Sequence, residues 1–222
     1  MNNLSICIWN KGFYKRLSYV LSSLVQCSFK GDVLISCFSQ DSYFSFCEKL
    51  KELFGKQLDL KIRIYNDDLH YTQRNYCRSD DIKTSDKDWL FFADSDNVFY
   101  NNFFIELQNK IDINKEKVLY SMTRWTMEEN SGNILTPEVK YYDNAYDNAK
   151  KHIVHLSGHG IIRGAGYCQI VRRKDCNIYC LRKNGFIGDI HFRRNFKVEK
   201  IEMKEHLVHL QHNRLYKNGE LR

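Results

Sequence analysis

Apolar positions along the first hundred residues fall into two alternating rhythms. Leu4 to Trp9 is a short continuous apolar run. Leu17, Val20, Leu21, Leu24 and Val25 then recur at intervals of three and four, which is one face of an amphipathic helix. Val33 to Phe38 is a second apolar run, followed by a helical stripe at Phe44, Cys47, Leu50 and Phe54 that stops at Gly55. Leu58 to Tyr65 alternates Leu58, Leu60, Ile62 and Ile64 with Asp59, Lys61 and Arg63, so a third strand is predicted with one side toward solvent. A polar connection over residues 69–88 predicts a loop and a helix of a few turns. Trp89 to Ala93 is again apolar and strongly aromatic, the composition of a buried strand.

Beyond that point the rhythm is weaker. Asn101 or Asn102 can cap a helix running through Phe104, Ile105 and Leu107, and Val118 to Thr123 predicts a further strand. From Arg124 to Lys151 the pattern breaks down around Gly132, the single proline Pro137 and a Tyr/Asn/Asp-rich run, so a long functional loop or an acceptor-side insertion is expected. Residues 153–173 mix strand-like pieces with Gly158, Gly160, Gly164 and Gly166; a bulged strand pair or a backbone approached closely by a ligand both explain them. Strands alternating with helices imply right-handed crossovers and a mostly parallel sheet, hence an α/β protein. Neither an internal repeat nor a linker interrupts the 222 residues, which predicts a single domain.

Composition narrows the class. A 43% hydrophobic share fits a packed core. The longest apolar stretch is too short to span a bilayer, and the N-terminal MNNLSICIWNK lacks the features of a signal peptide, so a cytoplasmic chain is expected, at most peripheral at the inner face of a membrane. Eight cysteines are dispersed among apolar segments as small buried hydrophobes; Cys168, Cys176 and Cys180 have no C-x2-C spacing for zinc. The net charge of +7, much of it between Arg163 and Lys197, suggests an acidic partner, whether nucleic acid, an anionic membrane surface or a phosphorylated substrate, although a solvated basic face is the plainer reading.

The chemistry concentrates where Trp89 to Ala93 meets Asp94-Ser95-Asp96. In extended backbone, residues i and i+2 point to the same side, so the two carboxylates would present hard oxygens to one divalent cation, Mg2+ or Mn2+. Asp, Ser and Asn are also turn formers, so a simple turn is the alternative explanation of Asp94-Ser95-Asp96-Asn97, which the preceding buried strand disfavours. In parallel sheets, ligands bind beyond the carboxyl ends of the strands, which is where these residues fall.

The N-terminal strand and amphipathic helix, Arg74-Asn75 some twenty residues before the carboxylates, the D-x-D at Asp94 and Asp96, and the late GFIGDIHFR and HLQH segments together resemble glycosyltransferases of the GT-A fold, closest to the large family 2 group. The resemblance covers nearly the whole chain. It implies a Rossmann-like, mostly parallel central sheet flanked by helices, with a smaller acceptor-side region. Residues 1–100 would be the nucleotide-binding half and 101–222 the acceptor-binding half. It further implies that Asp94 and Asp96 hold Mn2+ or Mg2+, with His212 and His209 as further metal ligands. Arg74, Asn75, Asp94, Ser95 and Asn10 would contact the donor, a nucleoside-diphosphate sugar with UDP the leading base and diphosphate. Asp189, in Gly188-Asp189-Ile190-His191-Phe192-Arg193, matches the segment that carries the catalytic base of inverting members, although Gly188 stands where a glutamate is usual. The acidic residue that usually ends the second strand is missing, and Asp41 comes a few positions late.

The implied activity is transfer of a sugar to a hydroxyl acceptor on a glycan, glycolipid or protein, with inversion, and with no nucleic-acid partner. Two alternatives stay open. A haloacid dehalogenase-like phosphatase also uses a strand followed by D-x-D, although its motif normally sits on the first strand. A basic binding module for nucleic acid or polysaccharide would use the late arginines and leave the two carboxylates unexplained. Individually, Asp189 can be a helix cap, the late histidines can be satisfied by backbone carbonyls, and Trp125, Tyr141, Tyr142 and Tyr146 can pack under a loop rather than stack on an acceptor sugar.

Overall fold

Leu4–Trp9 forms strand β1, and the helix α1 over Tyr14–Gln26 carries the chain back to β2 at Asp32–Phe38. The computed structural model describes residues 3–157, 168–176 and 192–211. Helix α2 (Phe46–Phe54) and β3 (Asp59–Tyr65) follow, then two helices, α3 (Asp68–Thr72) and α4 (Arg74–Thr84), before β4 at Trp89–Asp94. β1 pairs in parallel with β2 on one side and β4 on the other, and β2 pairs in parallel with β3. This is the arrangement the alternating periods predict: continuous apolar runs occupy the centre, and the alternating strand β3 lies at the edge. Leu17, Val20, Leu21 and Leu24 of α1 and Cys47, Leu50 and Phe54 of α2 are buried in the main core.

The polar connection 69–88 becomes the two helices because Asp67 caps the first, its side chain accepting from the His70 amide at 3.0 Å, while extended Gln73 separates it from α4. A buried aromatic chain then continues into β5 (Asn97–Val98) and α5 (Phe103–Lys110), where Phe91, Phe99 and Phe103 pack against one another. Asn102 stands at the N-cap of α5 as predicted, but its side chain makes no capping bond.

The large sheet has seven strands in the order β10-β6-β9-β4-β1-β2-β3, where β6 is Val118–Ser121, β9 Cys168–Arg172 and β10 Lys197–Lys200. β9 runs against both β4 and β6, and β10 is parallel to β6. The expected loop over 124–151 is in fact structured. It holds β7 (Arg124–Met127) and two short helices, α6 (Ser131–Leu135) and α7 (Ala145–Lys150). Its aromatic residues order it: Tyr142 packs on Tyr19, and the buried Tyr146 donates to the His206 carbonyl at 2.8 Å. Trp125 meets His206 edge-on. With β8 (Ile153–Ser157) and β11 (Leu207–His209) this region builds a second sheet in the order β5-β11-β7-β8. Gly158, Gly160, Gly164 and Gly166 lie outside the described residues.

Candidate active site

β4 ends at Asp94, whose Oδ1 accepts from Arg74 Nη2 at 2.7 Å; the same nitrogen donates to the Ala93 carbonyl at 3.1 Å. Arg74 opens α4, which packs against β1, so the strand and the helix together fix this ion pair. Arg74 also lies over the Trp9 ring at 5.8 Å, and Trp9 is the register partner of Asp94 in the neighbouring strand.

Ser95 and Asp96 form a turn rather than a continuation of the strand. The i,i+2 alternation expected of extended backbone therefore does not apply, and the two carboxylates converge for a different reason. The turn carries the chain from the large sheet into β5 of the small one, where β5 pairs antiparallel with β11 and puts His209 opposite Asn97. His209 Nε2 lies 3.1 Å from Asp96 Oδ2, and the Leu210 amide donates to the Asp96 carbonyl at 2.8 Å. Asp96 is only 6% exposed.

One cation joins the two carboxylates. Arg124, the first residue of β7, brings Nη1 to 3.6 Å from Asp94 Oδ2 and 3.9 Å from Asp96 Oδ1, and donates to Asn97 Oδ1 at 2.8 Å. Nothing in the sequence singled out Arg124, because its position depends on the pairing of β7 with β11. Among the described residues no group of three His, Cys, Asp or Glu side chains is assembled for a metal. Two carboxylates and the imidazole bonded to one of them nevertheless have the ligand chemistry that Mn2+ accepts. Arg124 Nη1 occupies the space within reach of both carboxylates, so a bound divalent cation would take over the guanidinium's role there.

The remaining predicted residues fall around this centre. Asn75 and Ser95 are buried, and Asn75 Oδ1 accepts from Arg78 Nη1 at 3.3 Å. Asn10 is completely buried, with neither amide atom hydrogen-bonded among the described residues. Asp189 and His212 lie outside the described residues.

Asp41, late in the sequence relative to the family pattern, is nonetheless brought to the same edge of the sheet. Its Oδ2 accepts from the Gly12 amide at 2.9 Å, in a turn where Gly12 adopts φ +77°, a value that suits glycine. Lys11 Nζ lies 3.7 Å from the Tyr71 ring centroid and 6.0 Å from that of Trp9. Burial raises the Asp41 carboxyl above its ordinary pKa, opposed by the Gly12 bond and the Lys11 charge, and burial lowers Lys11. A carboxylate, an ammonium and two aromatic rings thus form a partly enclosed group beside Arg74.

No family model matches the chain, and no curated protein matches it. Solved structures do. TarS 1–349 from S. aureus, in complex with UDP-GlcNAc, superposes with a TM-score of 0.60 at 14% identity over 96% of this chain and 59% of that one. HddC from Yersinia pseudotuberculosis gives 0.57 at 12% identity, over 95% of this chain and 94% of that one. The mannosyltransferase PcManGT from Pyrobaculum calidifontis, in complex with GDP-Man and Mn2+, gives 0.56 at 9% identity, over 98% of this chain and 58% of that one. The chain spans about 60% of the length of TarS 1–349. At these identities the likeness is one of fold: the chain has the GT-A fold, a mostly parallel central sheet flanked by helices.

Proposed function

We propose that the protein is a metal-dependent glycosyltransferase that moves a sugar from a nucleoside-diphosphate sugar, a UDP-sugar foremost, to a hydroxyl acceptor with inversion. One observation carries the reading: two carboxylates from the end of a central strand converge on a single cationic nitrogen, at 3.6 and 3.9 Å. A buried sheet edge that gathers two acids, an imidazole and two guanidinium groups is suited to a polyanionic ligand held through a cation. The TarS and PcManGT structures were obtained with a nucleotide sugar, the latter also with Mn2+, which supports the same chemistry on a shared fold.

In this reading Asp94, Asp96 and His209 hold Mn2+ or Mg2+, with His212 as a further ligand. When bound, the cation supplies Lewis-acid stabilisation to the departing diphosphate. The chain's own groups do the rest. Arg74 and Arg124 face the diphosphate oxygens as fixed donors. Trp9 and Tyr71 offer flat faces to the base, and Asp41 an acceptor to its ribose. Asp189 takes the proton of the attacking acceptor hydroxyl, which is otherwise a poor nucleophile. The division into a nucleotide half at 1–100 and an acceptor half at 101–222 belongs to the same proposal, with Asn10, Asn75 and Ser95 on the donor side. The acceptor is a glycan, glycolipid or protein hydroxyl; no helix among the described residues is long and apolar enough to cross a membrane.

The test is a screen of nucleotide sugars for manganese-dependent release of the nucleoside diphosphate, with Asp96→Ala as control. Release by the parent chain and its loss in the variant support the reading. Unchanged release in Asp96→Ala overturns the metal assignment, and hydrolysis of a phosphomonoester without a sugar donor would favour phosphatase chemistry instead.

A further inference from the structure

A cleft of about 210 Å³ opens beside the loop after β1, between the start of α1, the approach to α2 and helix α6. Arg16 is the unusual residue in its wall. The residue is only 6% exposed, yet no ion pair reaches it among the described residues. Its one hydrogen bond runs from Nη2 to the neutral Asn133 side chain, and Nε makes none. Burial lowers its pKa to about 10, and only the charge of Asp96, beyond ion-pair range, supports the protonated form. Buried guanidinium groups ordinarily have an anionic partner, because an uncompensated buried charge is costly.

The wall carries a second cation, while Asp41 beside it is already bonded to the Gly12 amide. Lys15 lines the same cleft, and no acidic side chain does. α1 begins at Tyr14, with Phe13 at its N-cap position, no side-chain cap and no acid in its first turn, which leaves its first amides without intrahelical partners. The wall is otherwise aromatic. Phe13 lies 4.7 Å from the Arg16 guanidinium, and Tyr43, 40% exposed, is stacked on Phe46 at an interplanar angle of 3° with ring centroids 5.8 Å apart. A ring face open to solvent beside a buried cation suits a flat-sided polar ring that carries an anion.

We propose that this cleft is a second ligand subsite that takes an oxyanion, a carboxylate or a phosphate, carried on a sugar ring. It adjoins the carboxylate centre through α6: the Gly132 amide donates to the Gln211 carbonyl at 2.9 Å, in the segment whose Leu210 amide bonds Asp96. The ligand would thus approach from the side of the small sheet, as an acceptor would. Its assignment to the acceptor rests on the glycosyl-transfer reading; the oxyanion binding does not.

Calorimetric titration of the full chain with glucose 6-phosphate, glucuronic acid and glucose tests the proposal. At least one charged sugar should bind about 10-fold or more tightly than glucose, the margin expected of a charge-assisted pair, and whichever one binds identifies phosphate or carboxylate as the recognised group. Arg16→Gln should abolish that preference. Should that variant fail to fold, Asn133→Asp is the second probe, because it gives the guanidinium an internal carboxylate and should block the external one while adding an ion pair to the fold. Equal binding of glucose and the charged sugars, retention of the preference in a folded Asn133→Asp protein, or displacement of glucose 6-phosphate by UDP would each overturn the subsite. Absence of any sugar transfer, with the charge preference intact, would sink the enzymatic reading alone.

Discussion

Asp96 Oδ2 lies 3.1 Å from His209 Nε2, although 113 residues of chain separate them. The pairing of β5 with β11 and the Leu210 amide on the Asp96 carbonyl hold this contact from the backbone. Asp96→Asn keeps the side-chain shape and removes the charge. Manganese-dependent release of nucleoside diphosphate should fall by about 100-fold or more, the scale of losing a preorganised electrostatic group. His209→Ala should cost about 10- to 100-fold, as for a group that ligates or orients a metal ligand. Initial-rate assays on folded variants check both values, and a His209→Ala protein of full activity would reduce that residue to packing.

Arg124 competes for the carboxylates that would hold a metal. With Nη1 within 4 Å of both Asp94 and Asp96, it offsets part of their charge when no divalent cation is present, beside the Arg74 pair on Asp94. Arg124→Gln leaves two carboxylates facing each other with less compensation, so Mn2+ affinity should rise by about 10-fold, equivalent to 1.4 kcal/mol, while turnover falls through loss of a diphosphate donor. Electron paramagnetic resonance titration of free Mn2+ measures the first effect and steady-state kinetics the second. Weaker Mn2+ binding in the variant would show that the guanidinium assembles the site rather than competing for it.

The sequence disclosed these two residues unequally, for a physical reason. Asp94 ends a six-residue apolar strand, and the amphipathic stripes of α1 and α2 are long enough to establish a period, so the large sheet and its acidic edge were legible. The small sheet is made of β5 with two residues, β11 with three, β7 with four and β8 with five, too short to show a clear alternation. Arg124 and His209 are brought together by that pairing. In the sequence Asp41 stands out only as a late acid, because its Gly12 partner depends on the turn after β1. Even Asp94 and Asp96 converge through a turn and a change of sheet, not through strand alternation.

Gly132 shows how closely α6 sits on the segment bearing His209. A Cβ at this position would lie 2.6 Å from the Gln211 carbonyl oxygen and 2.7 Å from the Leu210 carbonyl carbon, both backbone atoms. Gly132→Ala must therefore push the 209–211 segment or α6 outward, at a cost of about 1–3 kcal/mol in overall stability. The displacement should also weaken Mn2+ binding more than it weakens binding of UDP without metal. Thermal denaturation and paired titrations test this, and a variant with unaltered melting and metal affinity would mean that α6 does not hold the histidine segment.

Stability should also depend on pH through Asp81, on the other face of the sheet. This residue lies on the buried side of α4, 2.8 Å from Arg63 Nη2, yet burial outweighs the guanidinium and raises its pKa from 3.8 to about 7. Between those two values the folded chain retains a proton that the unfolded chain has released, so the folded state binds more protons and its stability falls as pH rises. Above pH 7 both states are ionised and this contribution is constant. Asp81→Asn removes the titration. Relative to the parent, the variant should gain stability progressively from about pH 4 to about pH 7, by a few kcal/mol at most, and show no further gain above that range. Chemical denaturation of both proteins at several pH values measures the difference. A gap that is flat across the window would mean that the Arg63 ion pair keeps Asp81 ionised throughout, and a parent that gains on the variant as pH rises would reverse the sign argued here.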